Sequence, residues 1–548
     1  MKKLIFVFVI VAMSFNLFAQ KVQNVEIEHV LSLYKNQRTV KNLKIYSRKS
    51  KREFANAFYN NGFFVVISSD KNFTPVMAYS KINGIDDSYI EEFKQFIGSL
   101  YEKQEQKLLK NFNTANKYQE QWDNLLTKND INENIYEPFI QSSFGQVNCK
   151  DENGNLINVS NLYTPQNVAA GCVALSQATV LHYFGWPNQC MGTHSYFDSY
   201  GSINGEHTIN FDNSFYEMDK IKDCYNNQES TTEERKAFGK LVYEVALSIN
   251  TDFEDGGSTS NVNRIPQALK SYFRFSSTYN SISTSGFWQN IDSNIVVGLP
   301  VILAVATSGG FGHSVVCSGL KTFESGKKYY HLNMGWWGSA NGWYQIQDEF
   351  NAGGYSSVTG AVFNIIPNPH FIKPEFNIEN NELDLEWIYP KFPELNNYKL
   401  QMKLGRENWT TINDSYNEDS YSLILDGSST YSFRVQPQSL DENILWGWSN
   451  YVTFSDYANG INDKTIHNNL KYYPNPVSDK LYVELNNINL KVNTIQIFNT
   501  MAKYYIVDYS LNGNTMEIDV KNLPPDIYVL RVNFNNQYVT HTFIKVNN

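Results

Sequence analysis

The sequence is poor in cysteine, in positive charge and in long apolar runs. Its 548 residues contain five cysteines, at positions 149, 172, 190, 224 and 317, and no two of them have the short C-x-x-C spacing of a zinc site. Lysine and arginine number 45 against 55 aspartates and glutamates, so no basic surplus is available for nucleic-acid phosphates. After residue 20 no run is long and apolar enough to cross a bilayer. We therefore expect no metal, no nucleic-acid partner and no membrane-spanning segment.

The first 20 residues have the composition of a secretory signal peptide. Lys2 and Lys3 supply the positive charge, residues 4–13 form the apolar core, and Ala19 closes a cleavage motif. A membrane anchor is the alternative, but the apolar run is too short for one. No cysteine lies near the cleavage point, which argues against a lipid anchor. An odd number of cysteines in an exported chain leaves at least one thiol unpaired.

Changes of pattern divide the rest of the chain into five segments. They are an N-terminal module at 21–135, a mixed domain at 136–367, a β-sandwich at 368–456, a polar linker at 457–469 and a second β-rich module at 470–548. The N-terminal module is predicted to contain a buried strand at 62–68 and a long helix from Ile90. We interpret its polar stretch at 103–135 as an exposed linker that is open to proteolytic processing. An ordinary small α+β domain without an inhibitory role is the alternative.

The mixed domain at 136–367 alternates helical and extended patterns, which predicts an α+β fold. Apolar periodicity predicts helices at 232–249 and 264–272, and strands at 301–305, 313–317, 329–333 and 342–346. All five cysteines fall in this segment. The chemistry of the chain is therefore expected here.

Cys172 is the candidate nucleophile of the mixed domain. It follows Gly171 and begins an apolar run that is predicted to be a helix ending near Gly185. A thiol at a helix N-terminus has a lowered pKa because the helix dipole stabilises the thiolate. A small buried core thiol is the alternative interpretation.

Three polar residues complete the arrangement that a thiol nucleophile needs. His313 lies 141 residues after Cys172, next to Gly312 in a glycine-rich stretch, and is the candidate base. Asn333 ends a predicted strand and is expected to accept the ring N–H of His313 and fix its tautomer. Gln166, six residues before Cys172, is expected to stabilise an oxyanion together with the Cys172 backbone N–H.

These residues lie in motifs that resemble the streptopain family of papain-like cysteine peptidases, over about residues 50–365 of this chain. The matching motifs are Gln166 with Gly171-Cys172-Val173-Ala174, Gly312-His313, His331-Leu332-Asn333 with Gly335-Trp336, and the strand motif at 62–71. The chain departs from the family at Met334 and Trp337, where tryptophan and glycine are usual. These departures change the surface around Asn333 and leave the four candidate residues in place.

The resemblance implies a role for each candidate. The implied roles are nucleophile for Cys172, base for His313, orientation of His313 for Asn333, oxyanion stabilisation for Gln166, and substrate contact or shielding from water for Gly171, Gly312, Trp336 and Trp337. It also implies that 21–135 is an inhibitory propeptide, removed by limited proteolysis, so that the chain is made as a zymogen. No metal or organic cofactor is implied.

The last two segments have their own resemblances. Trp387 and the run Tyr431-Ser432-Phe433-Arg434-Val435 resemble a fibronectin type III domain, which we interpret as a spacer, with a binding module as the alternative. Tyr472-Tyr473-Pro474-Asn475-Pro476, the turn at 523–528 and the lysine near the end resemble the C-terminal sorting domain of the type IX secretion system. A carbohydrate-binding sandwich is the alternative for this last module.

The sequence as a whole predicts an exported cysteine endopeptidase. Its expected partners are protein or peptide substrates, its own propeptide and the type IX secretion machinery. We expect it to pass through the periplasm and to be secreted or attached to the cell surface. Two alternatives remain: a thiol amidase that acts on cell-wall peptides, and a non-catalytic surface adhesin.

Overall fold

The computed structural model describes most of the chain in two compact units. The described residues are 20–34, 40–47, 51–110, 113–127, 133–199, 201, 203–306, 312–323, 326–347, 358–372, 375–377, 382–390, 395–425, 430–439, 447–449, 451–455, 470–485, 492–499, 504–505, 507–534 and 537–546. The first unit lies within Met1–His370, Tyr389–Asn396 and Pro437–Gly447, and the second within Phe371–Ile388, Asn397–Gln436 and Trp448–Asn548. The predicted signal peptide, except for residue 20, and the predicted linker at 457–469 fall outside the described residues.

A single antiparallel sheet runs through the first unit. Among the described residues its strands are β1 (Lys41–Tyr46), β2 (Glu53–Asn60), β3 (Phe63–Ser68), β4 (Val76–Ser80), β5 (Glu133–Tyr136), β10 (Phe275–Ser281), β11 (Val301–Ala306), β12 (Gly312–Phe323), β13 (Lys328–Asn333), β14 (Gly342–Tyr344) and β15 (Val358–Pro367). Their order is β1-β2-β3-β4-β14-β13-β12-β11-β15-β10, with β5 paired to β12. The four strands predicted for the mixed domain are β11 to β14.

Helices and two hairpins surround this sheet. The helices are α1 (Asn24–Tyr34), α2 (Ile90–Lys110), α3 (Asn113–Thr127), α4 (Cys172–Phe184), α5 (Thr232–Ser248), α6 (Ile265–Tyr272) and α7 (Phe287–Val296), and the hairpins are β6 (Cys149–Lys150) with β7 (Leu156–Ile157) and β8 (Thr193–Asp198) with β9 (Gly205–Asn210). Helix α5 begins at a capping box, in which the Thr231 side chain accepts from the Glu234 backbone and Glu234 accepts from the Thr231 N–H. The helices predicted at 232–249 and 264–272 are thereby confirmed to within a residue or two.

The N-terminal module and the mixed domain share one sheet and one core. Strand β4 pairs with β14, with Trp343 opposite Tyr79 and Tyr344 opposite Ala78. Beneath this junction Phe64 lies against the ring of Tyr344, at 5.9 Å between ring centroids. All six residues of β3 are buried, as expected of a central strand covered on both faces.

The predicted exposed linker at 103–135 is wrong for most of its length. Residues up to Lys110 continue α2, and Asn113–Thr127 form α3. Trp122 is fully buried, and its indole N–H donates to the Phe73 carbonyl oxygen at 2.9 Å. The polar composition concealed a few large apolar side chains at helical spacing, and these are enough to hold the helix against the sheet. Residues 128–132 lie outside the described part of the chain.

The described residues of the second unit form four small sheets. Their strands are β16 (His370–Phe371), β17 (Glu375–Asn377), β18 (Glu382–Ile388), β19 (Leu395–Leu404), β20 (Thr410–Tyr416), β21 (Ser420–Ile424), β22 (Thr430–Ser439), β23 (Val452–Ser455), β24 (Leu470–Tyr473), β25 (Lys480–Leu485), β26 (Val492–Asn499), β27 (Tyr504–Tyr505), β28 (Tyr509–Asn512), β29 (Thr515–Asp519), β30 (Asp526–Phe534) and β31 (Gln537–Lys545). In β18 the residues Leu383, Leu385 and Trp387 are buried and their neighbours are not, which is the alternation of a strand with one face on a core.

Each half of the second unit is built from a pair of sheets. In the first half β16-β18-β17, with β21 against β18, forms one sheet and β20-β19-β22-β23 the other. Trp387 of one contacts Tyr398 of the other at 5.4 Å between ring centroids. In the second half the sheets are β24-β25-β29-β28 and β27-β26-β30-β31, around a core that includes Leu481, Ile518 and Tyr528.

The α+β fold class, followed by β-sheet modules, is confirmed. All five cysteines are free thiols. Among the described residues no group of three or more acidic, histidine or cysteine side chains is placed to hold a metal ion. A search of the described helices finds none with the length and apolarity that a membrane crossing needs.

Candidate active site

Cys172 is the first residue of α4. Gly171 has φ 88° and lies outside the helical region, so the helix begins directly after it, and Gly185 with φ 59° ends it. A side chain at residue 171 would also place its Cβ 2.9 Å from the Ser258 carbonyl oxygen. Both the backbone conformation and this close contact therefore require glycine there. Helix α4 is buried on nearly all sides, which fixes its N-terminal end inside the unit.

The Cys172 thiol lies between its own helix and strand β12. Burial raises the pKa of Cys172 above its ordinary value. Hydrogen bonds from the backbone of Ser314 on β12, and of Cys172 and Val173 on α4, act in the opposite direction. The two helical N–H groups are the ones that the sequence predicted to favour the thiolate, but burial outweighs them.

His313 stands at the beginning of β12 and is 6% exposed. Its Nε2 lies 2.7 Å from the Met334 carbonyl oxygen, so in the neutral ring Nε2 carries the proton and Nδ1 is the basic nitrogen. Burial lowers the pKa of His313 to about 4, although the Met334 hydrogen bond acts against this. The imidazole is therefore neutral at pH 7.

Asn333 does not make the contact that the sequence led us to expect. Its amide N–H donates to the Ser142 carbonyl oxygen at 2.7 Å, and its amide oxygen accepts the Gly335 N–H at 3.2 Å. The ring N–H of His313 goes instead to the next carbonyl along, that of Met334. The reason is the turn after β13: Gly335 has φ 70°, and the Asn333 side chain caps this turn.

The two tryptophans of the turn have different surroundings. Trp336 is 1% exposed and stacks on the His313 ring, with 5.0 Å between centroids and 23° between planes. Trp337 donates its backbone N–H to the Phe144 carbonyl, and its ring lies against Gly145, where a Cβ would come within 2.4 Å of it. Trp336 is thus the residue that covers the imidazole, and Trp337 contacts the segment of Phe144 and Gly145.

Gln166 lies in a short 3-10 turn, Pro165–Asn167, with φ 53°. The turn is fixed from within, because Thr164 donates to the Val168 carbonyl at 2.6 Å and Asn161 donates to the Asn167 carbonyl at 2.7 Å. The Gln166 side chain is exposed and makes no hydrogen bond within the described part of the chain. Gly312, the first residue of β12, is also exposed and pairs with Ala306.

Several residues that position this site escaped the sequence analysis. Asn341, 4% exposed, accepts the Met334 N–H on its side-chain oxygen at 2.8 Å and so holds the peptide that contacts His313. In the sequence, Asn341 followed by Gly342 is typical only of a turn. Ser142 acts through its backbone carbonyl, which no sequence motif reveals. Because Met334 also acts through its carbonyl, its departure from the family residue leaves this contact unaffected.

Comparisons with known proteins find relatives for two parts of the chain. Residues 154–344 match the model of the Peptidase C10 family, and residues 471–546 match that of the secretion system C-terminal sorting domain. Streptopain of Streptococcus pyogenes is 26% identical over 331 residues, which are 56% of this chain and 79% of streptopain. The thiol protease/hemagglutinin PrtT of Porphyromonas gingivalis is 26% identical over 217 residues, 37% of this chain and 24% of PrtT. Among solved structures, a prointerpain A fragment of Prevotella intermedia is 18% identical, with a TM-score of 0.41. The match spans 59% of this chain and 98% of the fragment.

The match of residues 154–344 to the Peptidase C10 family, together with the similarity to streptopain, makes this chain a cysteine-type peptidase. It carries a peptidase C10 domain, of the streptopain family, and a type IX C-terminal sorting domain. The resemblances to the streptopain family and to the type IX sorting domain are confirmed. The sorting domain marks the protein for export, to be secreted or attached to the cell surface.

Proposed function

We propose that the chain is a secreted cysteine endopeptidase in which Cys172 is the nucleophile and His313 the base. The observation that carries this proposal is the contact between the Cys172 thiol and the backbone of Ser314, the residue that follows His313. It brings the only half-exposed helix-start thiol of the described chain beside the strand of the candidate base. Asn333 acts on His313 through the Met334 turn, and Gln166 shares the oxyanion hole with the Cys172 N–H.

The proposed reaction is acyl transfer through a thioester. His313 Nδ1 takes the thiol proton, the Cys172 sulfur attacks the peptide carbonyl, and the oxyanion is held by Gln166 and the Cys172 N–H. The imidazolium then gives its proton to the leaving amine, and a water molecule activated by the same nitrogen hydrolyses the thioester. Throughout, the Met334 carbonyl holds the Nε2 proton and keeps the ring in one tautomer.

The same proposal makes 21–135 an inhibitory propeptide and 136–367 the peptidase domain. What supports this is a stack of three rings: Tyr89 lies on Trp336 at 5.2 Å and 10°, and Trp336 lies on His313. The N-terminal module also makes two hydrogen bonds to the neighbouring turn. Its Asp86 N–H donates to Ser339 Oγ, and its Gly84 carbonyl oxygen accepts the Ala340 N–H. In this precursor, burial raises the pKa of Cys172 and lowers that of His313, so both groups are favoured in their neutral forms.

The proposal also assigns a role to the remaining segments of the chain. The first 20 residues are the signal peptide, 368–456 is a fibronectin type III-like spacer, and the chain passes through the periplasm before the type IX machinery exports it. Protein and peptide substrates are proposed because residues 154–344 match the Peptidase C10 family and PrtT is a thiol protease by name.

The test is a pair of variants, Cys172→Ala and His313→Ala, measured on purified protein with casein and with cell-wall peptides as substrates. Both variants should lose all measurable cleavage of casein, and the Cys172→Ala precursor should stay at full length if processing is autocatalytic. Cys317→Ala, which removes a fully buried thiol from the middle of β12, is the matched control and should retain activity. Cleavage of casein by Cys172→Ala would refute the assignment, and cleavage of cell-wall peptides alone would favour a thiol amidase.

A further inference from the structure

A pair of buried hydroxyl groups links helix α4 to strand β12 beside the proposed catalytic residues. Ser176 Oγ and Ser314 Oγ are 2.7 Å apart, and the two residues are 4% and 2% exposed. Ser176 comes one helical turn after Cys172, on the same face of α4. Ser314 is the residue after His313. The pair therefore joins the two elements within one turn of the nucleophile and one residue of the base.

The direction of each hydrogen bond follows from counting protons. A serine hydroxyl has one proton, and Ser176 donates its proton to the Val173 carbonyl oxygen at 3.0 Å. Ser314 is then the donor in the pair and Ser176 the acceptor. Ser176 would keep a partner if Ser314 were removed, whereas Ser314 would lose its acceptor if Ser176 were removed.

The position of the pair matters because, among the described residues, β12 has a partner strand on one side only at this point. His313 and Ser314 pair with Val305 and Ala304 of β11, whereas pairing with β13 begins at Val316. On the open side, the backbone of Ser314 meets the Cys172 thiol. The hydroxyl pair is a side-chain hydrogen bond that joins this end of β12 to the helix.

We propose that Ser176 and Ser314 are positioning residues that set the separation of Cys172 and His313. This inference rests on the proposed function, because it concerns the geometry of that same pair. Neither hydroxyl reaches the reacting atoms in this role: each acts through the backbone of the element that carries a catalytic side chain. Their loss lets the start of β12 move relative to α4 and weakens proton transfer between sulfur and imidazole.

The experiment compares Ser176→Ala, Ser314→Ala and the double variant in full-length protein processed to its mature form, by an added protease where a variant does not process itself. We expect kcat to fall about tenfold or more for Ser176→Ala and less for Ser314→Ala, with KM within about twofold of the unchanged protein, since small displacements of a reacting pair mainly slow the chemical step. The acid limb of the kcat/KM profile should move to higher pH, because the thiolate loses part of its stabilisation by the imidazolium.

The double variant separates positioning from simple packing. Removing both hydroxyls leaves no unpaired buried group, so thermal stability should return close to that of the unchanged protein while kcat stays low. Ser176→Thr, which keeps the hydroxyl, should recover most of kcat. Thr179→Val is the matched control, because Thr179 is a buried hydroxyl on the same helix that donates only to the Leu175 carbonyl at 2.8 Å.

Each outcome decides the matter. If Ser176→Ala and the double variant keep kcat within twofold while Cys172→Ala is inactive, the positioning role is refuted and the proposed function stands. A loss of kcat in Thr179→Val equal to that in Ser176→Ala would also refute the positioning role, because removal of any buried hydroxyl from this helix would then have the same effect. If Cys172→Ala remains active, the proposed function itself fails.

Discussion

At the scale of single residues, the candidate site depends on backbone groups as much as on side chains. His313 is held by the Met334 carbonyl, that peptide is held by the Asn341 side chain, and Asn333 holds the turn between them through Ser142 and Gly335. A chain of this kind transmits a small displacement from one residue to the next because His313, Met334 and the two asparagines are all buried.

Replacing Asn333 with alanine should therefore impair catalysis without contacting the imidazole. The Ser142 carbonyl and the Gly335 N–H would both lose their partner, and the Met334 carbonyl would move away from Nε2. We expect kcat/KM to fall about 10- to 100-fold, the range for a displacement of about 1 Å at a reacting group.

The control for this variant is Asn294→Ala. Asn294 is equally buried, and its side chain also makes two backbone contacts, but it lies on α7 away from the site. It should lower stability and leave kcat/KM near that of the unchanged protein. Equal losses of activity in the two variants would contradict a specific role for Asn333.

The pKa values at the site predict how the thiol reacts with pH. In the full-length chain burial raises the pKa of Cys172 and lowers that of His313 to about 4, so the neutral pair is favoured over thiolate and imidazolium. Alkylation of Cys172 by iodoacetamide should then begin only above the ordinary thiol range. Once the N-terminal module is removed the site is exposed, and the alkylation profile should move to lower pH.

This shift is measured by the alkylation rates of the full-length and processed proteins. The rate measured for the Cys172→Ala variant, which reports the other thiols, is subtracted from each. Coincident profiles would show that the N-terminal module does not cover the thiol. A shift in the opposite direction would contradict the inhibitory role of 21–135.

At the scale of elements, the junction between β4 and β14 requires a glycine. A side chain at Gly342 would bring its Cβ within 2.6 Å of the Tyr79 carbonyl oxygen and 2.8 Å of the Phe64 ring, both on the N-terminal module. Alanine at this position should force the two strands apart.

Gly342→Ala should weaken the attachment of the N-terminal module. We expect Cys172 in the full-length variant to be alkylated several times faster than in the unchanged precursor at pH 8. Gly98→Ala on α2 is the control, since its Cβ would meet its nearest neighbour, the Tyr46 carbonyl, at an ordinary 3.8 Å. Identical rates in both variants would mean that this junction does not govern access to the thiol.

The elements also show which parts of the structure the sequence could predict. Helix α4 was predictable because Gly171 and Gly185 mark its two ends and the residues between them have a local helical pattern. Helix α3 was not, because Trp122 finds its partner at Phe73, far away in the sequence, and the polar residues between hide it. The contact of Asn333 with Ser142 and the pairing of Ser176 with Ser314 depend on residues 191 and 138 positions apart. A local pattern carries no information about such pairs.

At the scale of the whole molecule, the peptidase and the sorting domain lie in different compact units with separate cores. Deleting residues 471–546 should leave kcat/KM of the processed enzyme within about twofold of the full chain, because residues in separate cores act independently. In a host with a type IX system the truncated protein should accumulate inside the cell instead of reaching the surface or the medium.

The matched control alters the sorting domain without removing it. Lys480→Ala breaks an exposed ion pair with Glu517, and such pairs contribute little to stability, so export should continue. Export of the truncated protein at the normal level, measured by immunoblot of cell fractions, would contradict the function of this domain.

The short β4–β14 junction has a consequence for amide hydrogen exchange in the precursor. Strand β14 has three residues, and only two of them pair with β4, whereas β3 and β12 are long and paired on both sides. The amides of Tyr79 and Trp343 should therefore exchange through a local opening of low free energy, and those in the middle of β3 and β12 only when the unit unfolds. The precursor would then visit a separated state many times before any bond is cut, and the exchange rate at this junction would set an upper limit on the rate of maturation.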